Sequence, residues 1–394
     1  MSEPSTSLAN KPKFWNDPAT RALIFQLLAA VGVIAFFYYI ISNALTNMEA
    51  RGITTGFDFL SKPAGFGILQ TLIDFDETYS YGRTFFVGLL NTLLVSVLGI
   101  ILASMLGLTI GIARLSHNWL VARLATVYIE TFRNIPLLLQ IFFWYFAVLR
   151  ALPAARDSIT LGESFFLNNR GLYIPKAITG DGFGLVWIAV IVAIGISLFL
   201  KRYRDRMQAQ TGKSLTIWWP ILLLIIGLPL LSFWIVGSPL TWEYPELKRF
   251  NFQGGMTVYP ELIALLVALT IYTAAFIAEV VRSGIQAVSK GQNEAANALG
   301  LTRGQTLRLI IVPQALRVII PPLTNQYLNL IKNSSLATAI GYPDLVSVFA
   351  GTTLNQTGQA VEIIFMTMAV YLTFSLITSG LMNWYNKRIA LVER

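Results

Sequence analysis

The chain has no cysteine and one histidine, His117, in 394 residues. Without thiols there are no disulfides, no thiolate zinc sites and no cysteine nucleophile, and one imidazole cannot build a histidine-rich metal site. Charge is scarce too. Asp, Glu, Lys and Arg make up 12% of the residues, against about 25% in soluble domains. That argues against a cytosolic enzyme or a nucleic-acid binder, even with a net charge of +9. What the chain does have is apolar mass: 55% hydrophobic residues and a mean hydropathy of +0.62. A basic excess on such a background reads as positive loops that orient a membrane protein. Conventional side-chain catalysis is not expected, and neither is a metal site or a bound cofactor.

A helix needs about 20 apolar residues to cross a bilayer. Candidate spans lie at 22–41, 84–113, 134–149, 182–200, 214–242, 262–278, 309–340 and 363–386. The third is short, and the apolar run 124–129 precedes it across Glu130 and Arg133. The seventh is broken by Pro313, Pro321 and Pro322 and carries Arg317 and Lys332. The first exceeds a signal-peptide core and has no small-x-small cleavage site after it, so it reads as a helix. Eight spans put both termini on one side. Placing them in the cytoplasm collects most of the basic residues inside. The cytoplasmic set comprises Lys11, Lys13, Arg21, Arg114, Arg123, Arg133, Lys201, Arg202, Arg204, Arg206, Lys213, Arg282, Lys290, Arg303, Arg308, Arg317, Lys387, Arg388 and Arg394. Asp58, Asp74, Asp76, Glu77, Asp157, Glu163, Glu243 and Glu246 then fall outside.

One cytoplasmic loop is too patterned to be a linker. Residues 292–299 favour a helix apart from two asparagines, and Gly300 suits the left-handed position that ends one. Thr302 and Gln305 then fit a capping box that starts a second helix, running on into Pro313. Ala295, Ala296 and Ala298 keep the first helix low-profile, so it can seat in a groove of another protein. The alternative is a helix lying on the bilayer surface, which usually carries large apolar residues.

Glu294-Ala295-Ala296, Gly300, Ile310 and Val312-Pro313 stand at spacings that resemble the EAA signature of ABC-importer permeases, with Val312 where leucine is usual. The segment 128–140, Glu279 to Gly284, Pro313 to Arg317, Pro321 to Asn325 and Lys332 to Leu336 are similar to polar amino-acid permeases. The match runs from about Thr84 to Lys387. The extended layout, with Gly56 to Leu60 and Ala64 to Gly67 before the core, resembles the Q-type permeases of general L-amino-acid transport systems. The resemblance implies an all-α membrane protein of the type I (MetI-like) permease fold. Spans two, three, six, seven and eight would be its five-helix core, and three transmembrane helices would be added. It divides the chain into 1–83 (cytoplasmic start, first helix, outer loop) and 84–394, with an inserted helix pair at about 182–242 and a coupling loop at 288–304. It further implies a bacterial inner-membrane location and a second, paralogous permease as partner. An ATP-binding subunit dimer would hold ATP and magnesium, and a periplasmic amino-acid-binding protein would deliver substrate. The segment 290–304 would be the coupling helix, with Glu294, Ala295, Ala296, Gly300 and Arg303 facing the ATPase. A secondary transporter or channel is the rival class; it would carry carboxylates buried mid-span and run without an ATPase.

Polar side chains cost free energy in hydrocarbon and are functional candidates there. Asn325, Asn329, Lys332, Asn333, Ser334 and Ser335 form the densest group. Lys332 lies about 28 Å beyond Pro313 along a helix, toward the outer side. Asn325 and Asn329 share a face that Lys332 and Asn333 extend. The resemblance implies that this face lines the substrate path; otherwise Lys332 snorkels to the interface or pairs with a partner acid. Glu130/Arg133 and Glu279/Arg282 are spaced to pair along their helices, as an inner gate or as plain salt bridges. Asn91, Thr92 and Gln140 either face the path or bond between helices. Gly107 and Gly111 signal close helix packing. Gly212-Lys213-Ser214 mimics the end of a phosphate-binding loop but lacks the upstream glycine and strand. The basic run 201–206 reads as an anchor near anionic lipid, not as a nucleic-acid site.

Overall fold

The computed structural model describes residues 18–50, 52, 55–212 and 216–389. Lys11, Lys13, Lys213, Ser214 and Arg394 lie outside the described residues. Among the described residues seven helices are long and apolar enough to cross a membrane, or eight when the bent pair Trp119–Asn134 and Leu137–Leu149 counts as one span.

The centre is the pairing of α2 (Tyr81–Arg114) with α7 (Pro260–Gln286). Proline at the first position of α7 has the φ a helix start requires and loses no needed donor. On α7, Ala264, Ala268, Ala274, Ala275 and Ala278 are fully buried, a stripe small enough for a second backbone to approach. Gly107 and Gly111 of α2 meet it. A Cβ on Gly107 would stand 2.6 Å from the Ile277 Cβ, and one on Gly111 would stand 2.8 Å from the Ala278 carbonyl oxygen. The glycine pair is therefore a packing device.

The third span is not one helix. α3 (Trp119–Asn134) starts on an Asn118 cap, whose side chain accepts from the Leu120 and Val121 amides. It ends before Pro136, because the residue preceding a proline is steered to extended geometry. Ile135 is extended, at φ −95°, ψ 127°. α4 (Leu137–Phe142) and a π-helical segment (Phe143–Leu149) then leave at 105° to α3. Hydropathy, which records composition and not direction, predicts a single span here; the structure corrects that to a sharply broken one.

After α4 comes the insertion. The connections that flank its helices are not loops but short strands. β1 (Ile159–Leu161), β2 (Phe165–Asn168), β3 (Gly171–Ile174) and β8 (Met256–Val258) form an antiparallel sheet in the order β1-β2-β3-β8. β4 (Lys176–Thr179) pairs with β5 (Leu240–Glu243), and β6 (Glu246–Lys248) with β7 (Asn251–Gln253). The helix pair α5 (Phe183–Thr211) and α6 (Trp218–Ile235) emerges between β4 and β5, clamped where Thr179 sits opposite Leu240. The mainly helical fold thus carries a small β-structured cap at the end from which α5 and α7 both start.

At the far end of α7 lies α8 (Lys290–Ala298), then α9 (Arg303–Thr306) and a π-helical turn (Leu307–Ile311). α10 (Val312–Asn333) follows and tightens into a 3-10 segment, Ser334–Ile340. A π-helical segment (Val346–Thr353) continues into α11 (Leu354–Thr357), and α12 (Ala360–Ile389) is the last span. α1 (Pro18–Ala50) precedes all of these.

Candidate functional site

The residues singled out at 290–304 lie on and just beyond a helix that little of the chain covers. In α8 only Ala296 is buried; Glu294 and Ala295 are exposed, as are Gly300 and Arg303 beyond it. The corner is fixed by backbone geometry. Gly300 has φ +72°, its amide donates to the Asn297 carbonyl at 3.0 Å, and the Leu301 amide donates to Ala296 at 3.1 Å. A side chain there would meet no atom, so only the left-handed φ demands glycine. The capping box forms: the Gln305 amide donates to Thr302 Oγ1 at 3.4 Å, and the Thr302 amide donates to Gln305 Oε1 at 2.9 Å. Gln314 of α10 donates to Gln292 of α8 at 3.4 Å, tying the loop to α10. Leu299 is 78% exposed at the corner.

α10 has two unlike faces. Ala315, Ile319 and Leu330 are buried with Ala103 of α2 and Ile277 and Val281 of α7. Asn325, Asn329 and Lys332, spaced four and then three, are exposed on another face. The six polar candidates therefore do not share one exposed face. Asn333 and Ser335 are half-buried and Ser334 is buried. The two hydroxyls are occupied by their own helix, with Ser334 Oγ donating to Ile331 O and Ser335 Oγ to Lys332 O, each at 2.7 Å. Lys332 borders a cavity of about 340 Å³, shared with Ser335, Val346, Thr367, Met368 and Tyr371.

Behind that cavity lies a residue that sequence reasoning missed. Asp344 is 1% exposed. Its carboxylate accepts from the Ser347 amide (2.9 Å), Thr338 Oγ1 (3.3 Å) and Tyr371 Oη (3.4 Å). It caps the helical segment beyond it, and Gly341-Tyr342-Pro343-Asp344 is a legible turn-and-cap signal. Glu362, 7% exposed at the start of α12, accepts from the Gly56 amide at 2.6 Å. Both carboxylates sit at the ends of spans and hold the chain in place.

At the α8 end, Glu279 binds Arg282 and Arg114 together, each with a closest contact of 2.5 Å. The Glu279/Arg282 pair forms, then, and recruits α2. The Glu130/Arg133 pair does not. Glu130 faces Arg114 at 3.9 Å, while the Arg133 guanidinium lies over the Phe276 ring at 5.2 Å. Helical spacing permits an i, i+3 pair, but α3 turns Arg133 toward α7, where an aromatic face offers it a better seat. The result is a cross-brace joining α2, α3 and α7.

Asn91, Thr92 and Gln140 are buried and bonded between segments. Asn91 Nδ2 donates to the carbonyls of Gln70 (2.9 Å) and Pro343 (2.8 Å). Thr92 Oγ1 accepts from the Leu345 amide at 3.0 Å, and Gln140 bridges the bend by donating to Phe132 O and Ile135 O, each at 3.0 Å. Gly212 closes α5 in the left-handed conformation, with its amide donating to Gln208 O, which is a helix end and not a phosphate loop.

Residues 97–391 match the family described as binding-protein-dependent transport system inner membrane component. The chain is 58% identical to the amino-acid ABC transporter permease protein YhdX of Escherichia coli (strain K12), over 96% of each chain. It is 52% identical to the general L-amino acid transport system permease protein AapQ of Rhizobium johnstonii, over 96% of this chain and 94% of that one. With the glutamate/glutamine/aspartate/asparagine transport system permease protein BztB of Rhodobacter capsulatus the identity is 43%, over 96% of each. A crystal structure of an amino acid ABC transporter with histidines aligns at TM-score 0.46 and 22% identity, over 78% of this chain and 95% of that one.

Proposed function

This chain belongs to the family of binding-protein-dependent transport system inner membrane components, and we propose that it is the permease subunit of an ATP-driven importer of L-amino acids. It is a multi-pass protein of the bacterial inner membrane. In this reading both termini are cytoplasmic, and substrate passes from periplasm to cytoplasm by alternating access. The chain itself is no enzyme and holds no cofactor. ATP and magnesium belong to an ATP-binding subunit dimer, a periplasmic binding protein delivers the amino acid, and nucleic acid plays no part. The amino-acid cargo named for AapQ and BztB supports the substrate class.

The observation that carries the reading is α8. It is a nine-residue helix exposed on all sides but Ala296, locked to the left-handed Gly300 and tied through Gln292 and Gln314 to α10. A partner that takes hold of Glu294, Ala295 and Arg303 can push or pull α10 directly. α10 in turn presents Asn325, Asn329 and Lys332 as exposed residues, with Lys332 at the edge of a cavity bordered by α12. One core offers half a path, so a paralogous permease completes it as a heterodimer. A substrate carboxylate passing that face meets an ammonium and amide donors. The cross-brace of Arg114, Glu279 and Arg282 holds the inner ends of α2 and α7 together while α10 moves.

Co-purification from cells that express the whole operon tests this. ATP-binding subunits accompany the wild-type chain and are lost with Glu294→Ala or Gly300→Val, while the permease stays folded. Uptake that survives both changes and needs no ATP contradicts the proposal. Lys332→Met tests the path separately: uptake falls for at least one amino acid, and unaltered uptake for all of them removes Lys332 from the path.

A further inference from the structure

The transport reading leaves the α5–α6 pair without a task. α5 buries only Ala189, Ala193 and Ser197, four residues apart. These small side chains let α6 come close along that stretch. Toward the opposite end a groove of about 790 Å³ opens against α6, lined by Trp219, Leu222, Leu223 and Ile226 and closed on one side by Leu200 of α5. Its lining side chains are hydrocarbon and indole, a surface that suits an acyl chain.

Charge begins where the groove ends. Lys201, Arg202, Arg204 and Arg206 follow Leu200 directly. The 29 residues of α5 run about 43 Å, more than the roughly 30 Å of bilayer hydrocarbon. The helix therefore leaves the apolar phase close to these residues, at headgroup depth. Arg204 continues the half-buried edge that faces α6, four residues beyond Leu200 and one turn beyond Lys201. Asp205 binds the Arg204 guanidinium at 2.7 Å and 3.0 Å. Among the described residues no carboxylate lies within salt-bridge reach of Lys201, Arg202 or Arg206, and all three are exposed. The cluster keeps a net positive charge. Trp218 and Trp219 stack with ring centroids 4.0 Å apart beside the groove, an aromatic pair of the kind that sits at a membrane interface.

We propose that this groove is a binding site for one anionic phospholipid. An acyl chain lies along Leu200, Leu223 and Ile226, and the phosphate rests between Lys201 and Arg204. Arg202 and Arg206 add the field that selects a net negative headgroup over a zwitterionic one. Each basic residue at the surface adds modestly to that preference, and together they separate the two lipid classes. The site depends on the membrane insertion of α5 and α6 and not on transport, so its failure and a failure of the importer reading are separate results.

Native mass spectrometry of the full-length permease, titrated with phosphatidylglycerol and phosphatidylcholine of the same acyl composition, provides the test. The wild type retains phosphatidylglycerol in preference by roughly tenfold or more. The triple change Lys201→Gln, Arg202→Gln and Arg204→Gln brings retention down to that of phosphatidylcholine. Leu223→Trp, which fills the groove and leaves every charge in place, lowers retention of both lipids. Leu223 is 74% exposed, so its replacement does not disturb folding. Equal retention of the two lipids by the wild type overturns the site. So does a preference that survives the charge changes, or one abolished by them but untouched by Leu223→Trp, which would mean headgroups gathered without a seated chain.

Discussion

Two sets of membrane helices in this chain follow opposite rules. In α7 half of the most apolar window is buried, and in α1 and α6 none of it is. The three stretches have similar hydropathy, 2.2, 2.3 and 2.0, so apolar content cannot be what separates them. Residue size separates them. α7 buries alanines against the glycines of α2, whereas α1 and α6 present Phe25, Phe36, Leu223 and Trp234 outward at 60–74% exposure. Lipid tails are as apolar as leucine, so hydrophobicity alone does not join helices in a bilayer; close backbone approach and hydrogen bonds do. The core has those features. The added helices are built to meet lipid or another subunit.

Steric substitutions break this comparison most severely. Gly107→Leu drives a side chain into Ile277 and lowers the stability of the solubilised protein by about 3 kcal/mol. Gly195→Leu on α5, where a Cβ meets nothing within 4 Å, leaves it unchanged. Thermal unfolding in detergent followed by tryptophan emission checks the pair. Next comes Asn91→Leu, which strips a donor from two carbonyls and costs about 2 kcal/mol in the same assay. The cross-brace should show a smaller graded effect. Glu279→Gln removes both short ion pairs at once and costs about 1–2 kcal/mol. Glu130→Gln, whose contact is 3.9 Å and whose side chain is 56% exposed, changes nothing measurable. Equal losses from Glu279→Gln and Glu130→Gln would sink the assignment of Glu279 as the centre of the brace.

The sequence carries the spans, the α8–Gly300–α9 corner and the capping box plainly, because each depends on neighbours a few residues apart. It hides whatever depends on direction or on distant pairing. The 105° turn at Pro136 leaves composition unchanged, so a run of apolar residues cannot show it. The strands of the cap pair residues 172–174 with 256–258 across the whole α5–α6 insertion, and three-residue strands have too few positions for an alternation to show. Arg133 had an acid at the right spacing and took a ring on another helix instead. The polar run at the end of α10 is contiguous in sequence, yet the structure sends Asn325, Asn329 and Lys332 to an open face and turns Ser334 inward. Asp344 was legible as a cap, but nothing local shows that it is buried beneath Tyr371.

The absence of cysteine from the chain makes the decisive measurement clean. A single Ala295→Cys, placed on the exposed side of α8, gives one thiol for a short maleimide reagent that carries a photoreactive benzophenone at its other end, which inserts into C–H bonds of whatever lies against it, in membranes that contain the assembled transporter. A matching Leu223→Cys on α6 serves as the reference from the other helix set. The Ala295→Cys protein crosslinks to the ATP-binding subunit and the Leu223→Cys protein does not. No adduct from Ala295→Cys, or the same adduct from both positions, would contradict α8 as the site where the energy source takes hold of the permease.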